Sequence, residues 1–248
     1  MRDPLSNPRL DQGQSAQHAG LVLKRMLAGY ENREKELPEH ANRVAGIGLP
    51  EAYSAAYRTW RDSMTQLGIE PVEIRAIGPV AVGLGNASPL EVGLTLHHTY
   101  GVPYLPGTAL KGLALRAAHR TGVSDHDRRV IFGDDSDSAP SAGYPTFWDA
   151  WLVPDRARFP LQKDVITVHH GDYYSGHGKV APTDFDDPNP VSFLSVRPGT
   201  WFTLAVSCAE SAAVARRGLD LALWGLAHLG IGGKTNAGYG RLERPHQG

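Results

Sequence analysis

The sequence predicts an α+β domain in the order strand, helix, strand, strand, helix, strand, behind an N-terminal helical extension. From Val72 onward, β-branched segments without helical period alternate with segments whose apolar residues recur at helical spacing. Prolines and glycines bound them where the texture changes. At 248 residues and 41% hydrophobic content, the chain can bury one large core and still carry insertions.

The elements follow in order. Met1 to about His18 is polar, and an extended or disordered tail is expected. Ala19 to about Arg43 has helical spacing with a break expected near Pro38. After Pro50, "EAYSAAYRTWRDSMTQLG" places Tyr53, Ala56, Tyr57, Trp60 and Met64 on one helix face, and Gly68 stops it. Residues 1–70 are therefore read as tail and extension, and 71–248 as the main domain.

"VEIRAIGPVAVGLG" (Val72 to Gly85) reads as the first strand. "LEVGLTLHHTYGVPYLPG" reads as extended or as a hairpin, with Pro103 and Pro106 excluding a helix. "TALKGLALRAAHR" turns helical, with Thr108 as N-cap and Leu110, Leu113, Ala114 and Ala117 on one face. "PTFWDAWLVP" is a short strand between prolines. Residues 156–190, rich in Asp, Pro, Gly and His, read as a long loop insertion. "VSFLSVRPGTWFTLAVSC" is strand again, interrupted at Pro198-Gly199. "ESAAVARRGLDLALWGLAHLG" is a helix carrying Val214, Leu219, Leu223, Leu226 and Leu229, and "YGRLERP" is a last short strand. This is the split βαβ order of a ferredoxin-like (RRM-like) fold.

Bulk properties exclude several functions. Net charge is −1, so a polyanion would have to be held by a local patch. The single cysteine, Cys208, rules out an internal disulfide and a cysteine-only zinc site, and fits a reducing cytoplasm. The N-terminus has no apolar core of a signal peptide, and no run is long enough to span a membrane.

The glycine-rich "GIGGKTNAGYGRL" (Gly230 to Leu242) raises the question of phosphate. A P-loop needs a first glycine where this chain has His228, and it needs a helix after the loop, whereas a helix precedes this one. Binding of a nucleic-acid backbone needs less: glycines for close approach, Lys234 for charge, Thr235 and Asn236 for hydrogen bonds. A plain turn between helix and strand, with Lys234 solvated, explains the loop equally well.

Two further stretches separate these readings. "GVPYLPGTALKGLALRAA" (Gly101 to Ala118) resembles the P-Y-I-P-G-S-S-L-K-G signature of the RAMP superfamily of CRISPR systems. The terminal glycine loop is similar to the loop that defines the same superfamily. "VGLGNASPLEVGLTLHHTYGVPYLPG", "FGDDSDSAPSAGYPTFWDAWLVP" and "DVITVHHGDYYSG…PTDFDDPNPVSFLSV" resemble, more narrowly, the capping (sixth) RAMP subunit of the type III-B (Cmr) effector. The resemblance runs from about Val72 to Leu242, in the family's order.

It implies a subunit of an RNA-guided ribonucleoprotein in antiviral defence, near the 3′ end of the guide RNA at one end of the backbone filament. Lys111, Arg116 and the loop residues Gly232, Gly233, Lys234, Thr235, Asn236, Gly238, Tyr239 and Gly240 carry the RNA-contacting positions. Implied partners are guide RNA, the other RAMP and small helical subunits, and target RNA indirectly. No cofactor or metal is implied.

Catalysis is not expected. Backbone RAMP subunits cut target RNA with an aspartate between first strand and first helix, and here the one acid in that segment is Glu91. Processing RAMP nucleases use a histidine as general acid or base, which keeps His97, His98 and His119 open as the alternative. The simpler reading of each is a surface or strand-end histidine. His169, His170, Asp172 and His177 offer zinc-ligating types without ligand spacing. Tyr173 and Tyr174 are candidates for base stacking. Asp134 to Asp137 lack the spacing of a calcium loop. Arg128, Arg129, Arg216 and Arg217 are either phosphate contacts or solvated charge.

Overall fold

The computed structural model describes residues 18–27, 32–134, 136, 140–168, 181 and 189–245. Helices α1 (Ala19–Arg25), α2 (Arg33–Ala45) and α3 (Glu51–Gln66) precede the first strand, β1 (Val72–Ala76). Then come α4 (Gly107–Arg120), α5 (Asp125–Phe132), and the short strands β2 (Gly133–Asp134), β3 (Ser141–Ala142), β4 (Thr146–Phe147) and β5 (Trp151–Leu152). A hairpin of β6 (Leu161–Val168) and β7 (Asn189–Val196) follows, then β8 (Trp201–Leu204), β9 (Val206–Ser207), α6 (Ala212–His228) and β10 (Leu242–Glu243).

The central sheet has the order β10-β1-β8-β5, each neighbouring pair antiparallel. Two strand–helix–strand units, β1-α4-β5 and β8-α6-β10, therefore interleave in this sheet. Register aligns Ile74, Phe202 and Leu152 across three strands, and all three are fully buried. They join one cluster with Leu110, Leu113 and Ala117 of α4 and Leu226 of α6. Each such large apolar side chain contributes ~1.5–3 kcal/mol when buried.

Sheet residues of opposite pleat meet α3. Trp151 stacks on Tyr53 and Trp60 at centroid distances of 5.7 and 5.5 Å. The Tyr53 hydroxyl donates to the Leu152 carbonyl at 2.7 Å, and Tyr57 bonds Thr203 at 2.7 Å. Burial holds the Tyr53 hydroxyl well above the usual phenol range, so it stays protonated and donating.

Several expectations need correction. Pro38 lies inside α2 and does not break it. It forfeits one helical hydrogen bond, while buried His40, Ala41, Val44 and Ala45 anchor the turns that follow. Residues 156–190 are not all loop. Leu161–Val168 pairs through its whole length with Asn189–Val196, and α2 packs on the hairpin. The predicted first strand ends at Ala76, although Val80 still bridges Val196. "PTFWDAWLVP" is two short strands around a break, where Ala150 turns to pair with Leu105. Thr108 does not cap α4. The helix starts at Gly107, whose N–H is taken by the Asp149 carboxylate at 2.7 Å. Helix α5, capped by Ser124, is a further element that the apolar periodicity does not mark. Among the described residues no helix is long and apolar enough to cross a membrane.

Candidate nucleic-acid interface

The glycine loop is seated on the chain just after β1. The Gly240 N–H donates to the Pro79 carbonyl at 2.7 Å, and the Gly233 N–H to Ala81 at 2.8 Å. At Gly232 and Gly240 φ is +81° and +75°. A Cβ there would lie 2.3 Å from the Ala81 oxygen and 2.0 Å from the Ile231 oxygen. Left-handed backbone and close packing together exclude a side chain at both positions. These glycines are therefore explained by how the loop packs on its own chain.

Lys234 does not project freely. It is half-buried in a left-handed conformation, with φ of 58°. Its Nζ lies 4.9 Å from the Phe193 ring centre and 5.3 Å from that of Tyr239. The Tyr239 hydroxyl donates to Asp164, and Ser195 reaches the same carboxylate at 3.4 Å. Burial first, and then the bond to Asp164 and its charge, push the Tyr239 phenol up to about 12. The β6–β7 hairpin thus clamps the loop through Asp164 and Phe193. Thr235 is half-buried, and Asn236, Ala237 and Gly238 form an exposed tip.

Helix α4 presents the opposite situation. One side, with Leu110, Leu113, Ala114 and Ala117, is buried. The remaining arc carries Lys111, Gly112, Leu115, Arg116, His119 and Arg120, half-buried or exposed. Among the described residues no hydrogen bond or ion pair holds Lys111 or Arg116. A Cβ added to Gly112 would meet nothing within 4 Å. A mid-helix glycine costs ~1 kcal/mol relative to alanine, and here no packing among the described residues explains it. Gly112 lies on that arc with Lys111 toward one side and Arg116 and Arg120 toward the other.

The predicted contacts thus fall into two sets. No hydrogen bond, ion pair or ring contact among the described residues joins Lys111 or Arg116 to the loop. They are linked through α6, where the position of a Gly225 Cβ lies 2.8 Å from Leu113, five residues before the loop begins.

The other candidates separate as well. Arg128 pairs with Asp125 and donates to the Val123 carbonyl. Arg129 pairs with Asp134 at 3.0 Å, and Arg216 with Asp220 at 3.0 Å. Asp134 also accepts from the Ser136 N–H, which holds its carboxyl below the usual range. Arg217 has no such partner among the described residues. Glu91 is ion-paired with Arg33. His97 packs among Tyr100, Tyr104 and Trp151, its Nδ1 accepts from the Thr99 N–H, and burial lowers its pKa. His98 and His119 are exposed. His169, His170, Asp172, Tyr173, Tyr174, His177, Asp135 and Asp137 lie outside the described residues.

Sequence reasoning missed Asp164, Phe193 and Ser195, which fix the loop, and the seat formed by Pro79 to Leu84. The signal for the first group was the β-branched "VITV" at the end of β6.

Comparison with known proteins agrees with this architecture. A model of the RAMP superfamily matches residues 73–243. The CRISPR system Cmr subunit Cmr6 of Pyrococcus furiosus is 26% identical over 268 residues, covering 86% of this chain and 78% of that protein. A chain in the cryo-EM structure of the type III-B Cmr-beta bound to cognate target RNA superimposes with a TM-score of 0.70 at 20% identity, over 87% of this chain and 73% of that one. The match spans β1 to β10 and includes both the α4 segment and the glycine loop, and the chain belongs to the RAMP superfamily.

Proposed function

We propose that this chain is a non-catalytic, RNA-binding scaffold subunit of a type III-B CRISPR ribonucleoprotein effector, holding the 3′ part of the guide RNA and capping the backbone filament. The observation that carries this reading is the outer arc of α4. It offers Lys111 and Arg116, without hydrogen-bond or ion-pair partners among the described residues, beside Gly112, where a sugar-phosphate chain can approach the helix closely. The exposed tip Asn236–Gly238 adds backbone and amide groups. Contacts of this kind read the RNA backbone, so binding is largely indifferent to guide sequence. Membership of the RAMP superfamily and similarity to Cmr6 support the assignment to an effector.

The non-catalytic part rests on the commitments of Glu91 and His97 within the chain. Neither the His98 nor the His119 side chain makes a hydrogen bond to a carboxylate or hydroxyl among the described residues, and a general base needs such positioning. The test is a tagged pull-down from the native host with sequencing of bound RNA. Short RNAs sharing one 5′ tag, recovered with other RAMP subunits, are expected. Clean protein without RNA or partners contradicts the reading, and metal-free RNA cleavage lost on substitution of His97, His98 or His119 by alanine contradicts its non-catalytic part.

A further inference from the structure

A cleft of about 520 Å³ lies between the C-terminal end of α2 and the start of β6, and none of the α4 or glycine-loop residues described above lines it. It is lined by Asn42, Phe159, Gln162, Lys163 and Arg197, together with Ala45 and Gly46. The composition is specific. Phe159 is 40% exposed, unusual for a phenylalanine, and is seated against Gly48, whose Cβ position is 3.7 Å from the ring. Two side-chain amides supply both donors and acceptors. Two cations line the cleft and, among the described residues, no carboxylate does. A third, Arg158, stands 5.2 Å from the Phe159 ring centre. Arg197 is braced, its Nε donating to the Leu161 carbonyl at 2.7 Å and its backbone N–H to Pro160 at 2.8 Å. Its terminal nitrogens have no ion-pair partner among the described residues, and neither does Lys163.

We propose that this cleft is a second RNA contact, taking one unpaired nucleotide with its base against Phe159 and its phosphate at Lys163 and Arg197. The proposal rests on the RNA-binding reading above and extends it from backbone contact to base stacking. An exposed aromatic ring with flanking cations is the combination that holds single strands without sequence preference. The carbonyls at the C-terminal end of α2 disfavour an anion, so the phosphate belongs on the strand side of the cleft. The amides of Asn42 and Gln162 are within the same lining and can meet base edges of any identity.

The test uses the full purified chain and an unstructured single-stranded 12-nucleotide RNA, with affinity measured by fluorescence anisotropy over a range of salt. Phe159→Ala is expected to weaken binding about fivefold or more, the range of one base–aromatic stack. Lys163→Ala is expected to lower the salt slope by about 0.7, one phosphate contact on a single strand. Both side chains are at the surface, and unchanged thermal melts confirm intact folding. Wild-type affinity and slope in both variants, with Lys111→Ala still weakened, overturn the cleft and leave the α4 reading standing. Unchanged RNA affinity with loss of a co-purifying subunit also overturns it, by making the cleft a protein contact. A wild-type chain that binds no RNA contradicts both readings.

Discussion

The glycine loop and the outer arc of α4 each pair a lysine with glycine, and they use the pair in opposite ways. In the loop, Gly232 and Gly240 are forced by contacts with Ala81 and Ile231, and Lys234 lies over Phe193 and Tyr239. On α4, among the described residues, a Cβ at Gly112 would meet nothing within 4 Å and Lys111 has no partner. A glycine explained by its own chain says little about a ligand. A glycine that costs helix stability and gains no packing says more. The comparison moves the centre of the RNA-binding reading from the loop, where the sequence draws attention, to the helix.

The largest effect expected is on the loop's fold. Gly240→Ala should destabilise the protein by about 3 kcal/mol or more, since the added Cβ meets backbone on both counts of space and φ. Chemical denaturation reads this directly, and a near-wild-type midpoint would break the claim that packing dictates the loop. Lys234→Ala comes next, with a stability loss of about 1 kcal/mol from the ammonium and its stem over two rings. A stability change near zero would instead make Lys234 a free cation like Lys111.

Gly112→Ala sharpens the other side. It should raise stability by about 1 kcal/mol, because alanine is the better helix former and its methyl group meets open space. If RNA approaches there, the same substitution weakens RNA binding, and stability and affinity move in opposite directions. Equal or better affinity would remove the reason offered for that glycine.

A smaller effect is confined to alkaline pH. Tyr239 is raised in the fold to about 12 from an ordinary value of 10.0. Its contribution is fully present below pH 10 and is lost as pH rises from there toward 12. The stability of wild type relative to Tyr239→Phe should therefore be flat at neutral pH and decline through that window. A difference that stays constant up to pH 12 would mean the phenol is not held by Asp164.

Much of the fold was legible because it is written in local periodicity. The apolar spacing of α3, α4 and α6 and the β-branched runs of β1 and β7–β8 mark their own faces, and the interleaved sheet follows from element order. The hairpin was less legible. β6 sits inside a stretch rich in Asp, Pro and Gly, and its pairing with β7 is nonlocal. For the site, the residue types were readable and their commitments were not. That Lys234 is clamped depends on Asp164 and Phe193, which are brought to the loop by a register no short window contains. That Gly112 is unobstructed is a statement about empty space, visible once the neighbours are placed. Similarly, the cap of α4 comes from Asp149, 42 residues from the Gly107 N–H it accepts, so Thr108 was the reasonable local choice.

The most direct test of the central claim is the salt dependence of guide-RNA binding by the Lys111→Ala/Arg116→Ala double variant. Two lost phosphate contacts on a single strand predict a slope shallower by about 1.4, weaker binding at low salt, and an unchanged thermal midpoint. A slope and affinity equal to wild type would show that the outer arc of α4 does not hold the RNA.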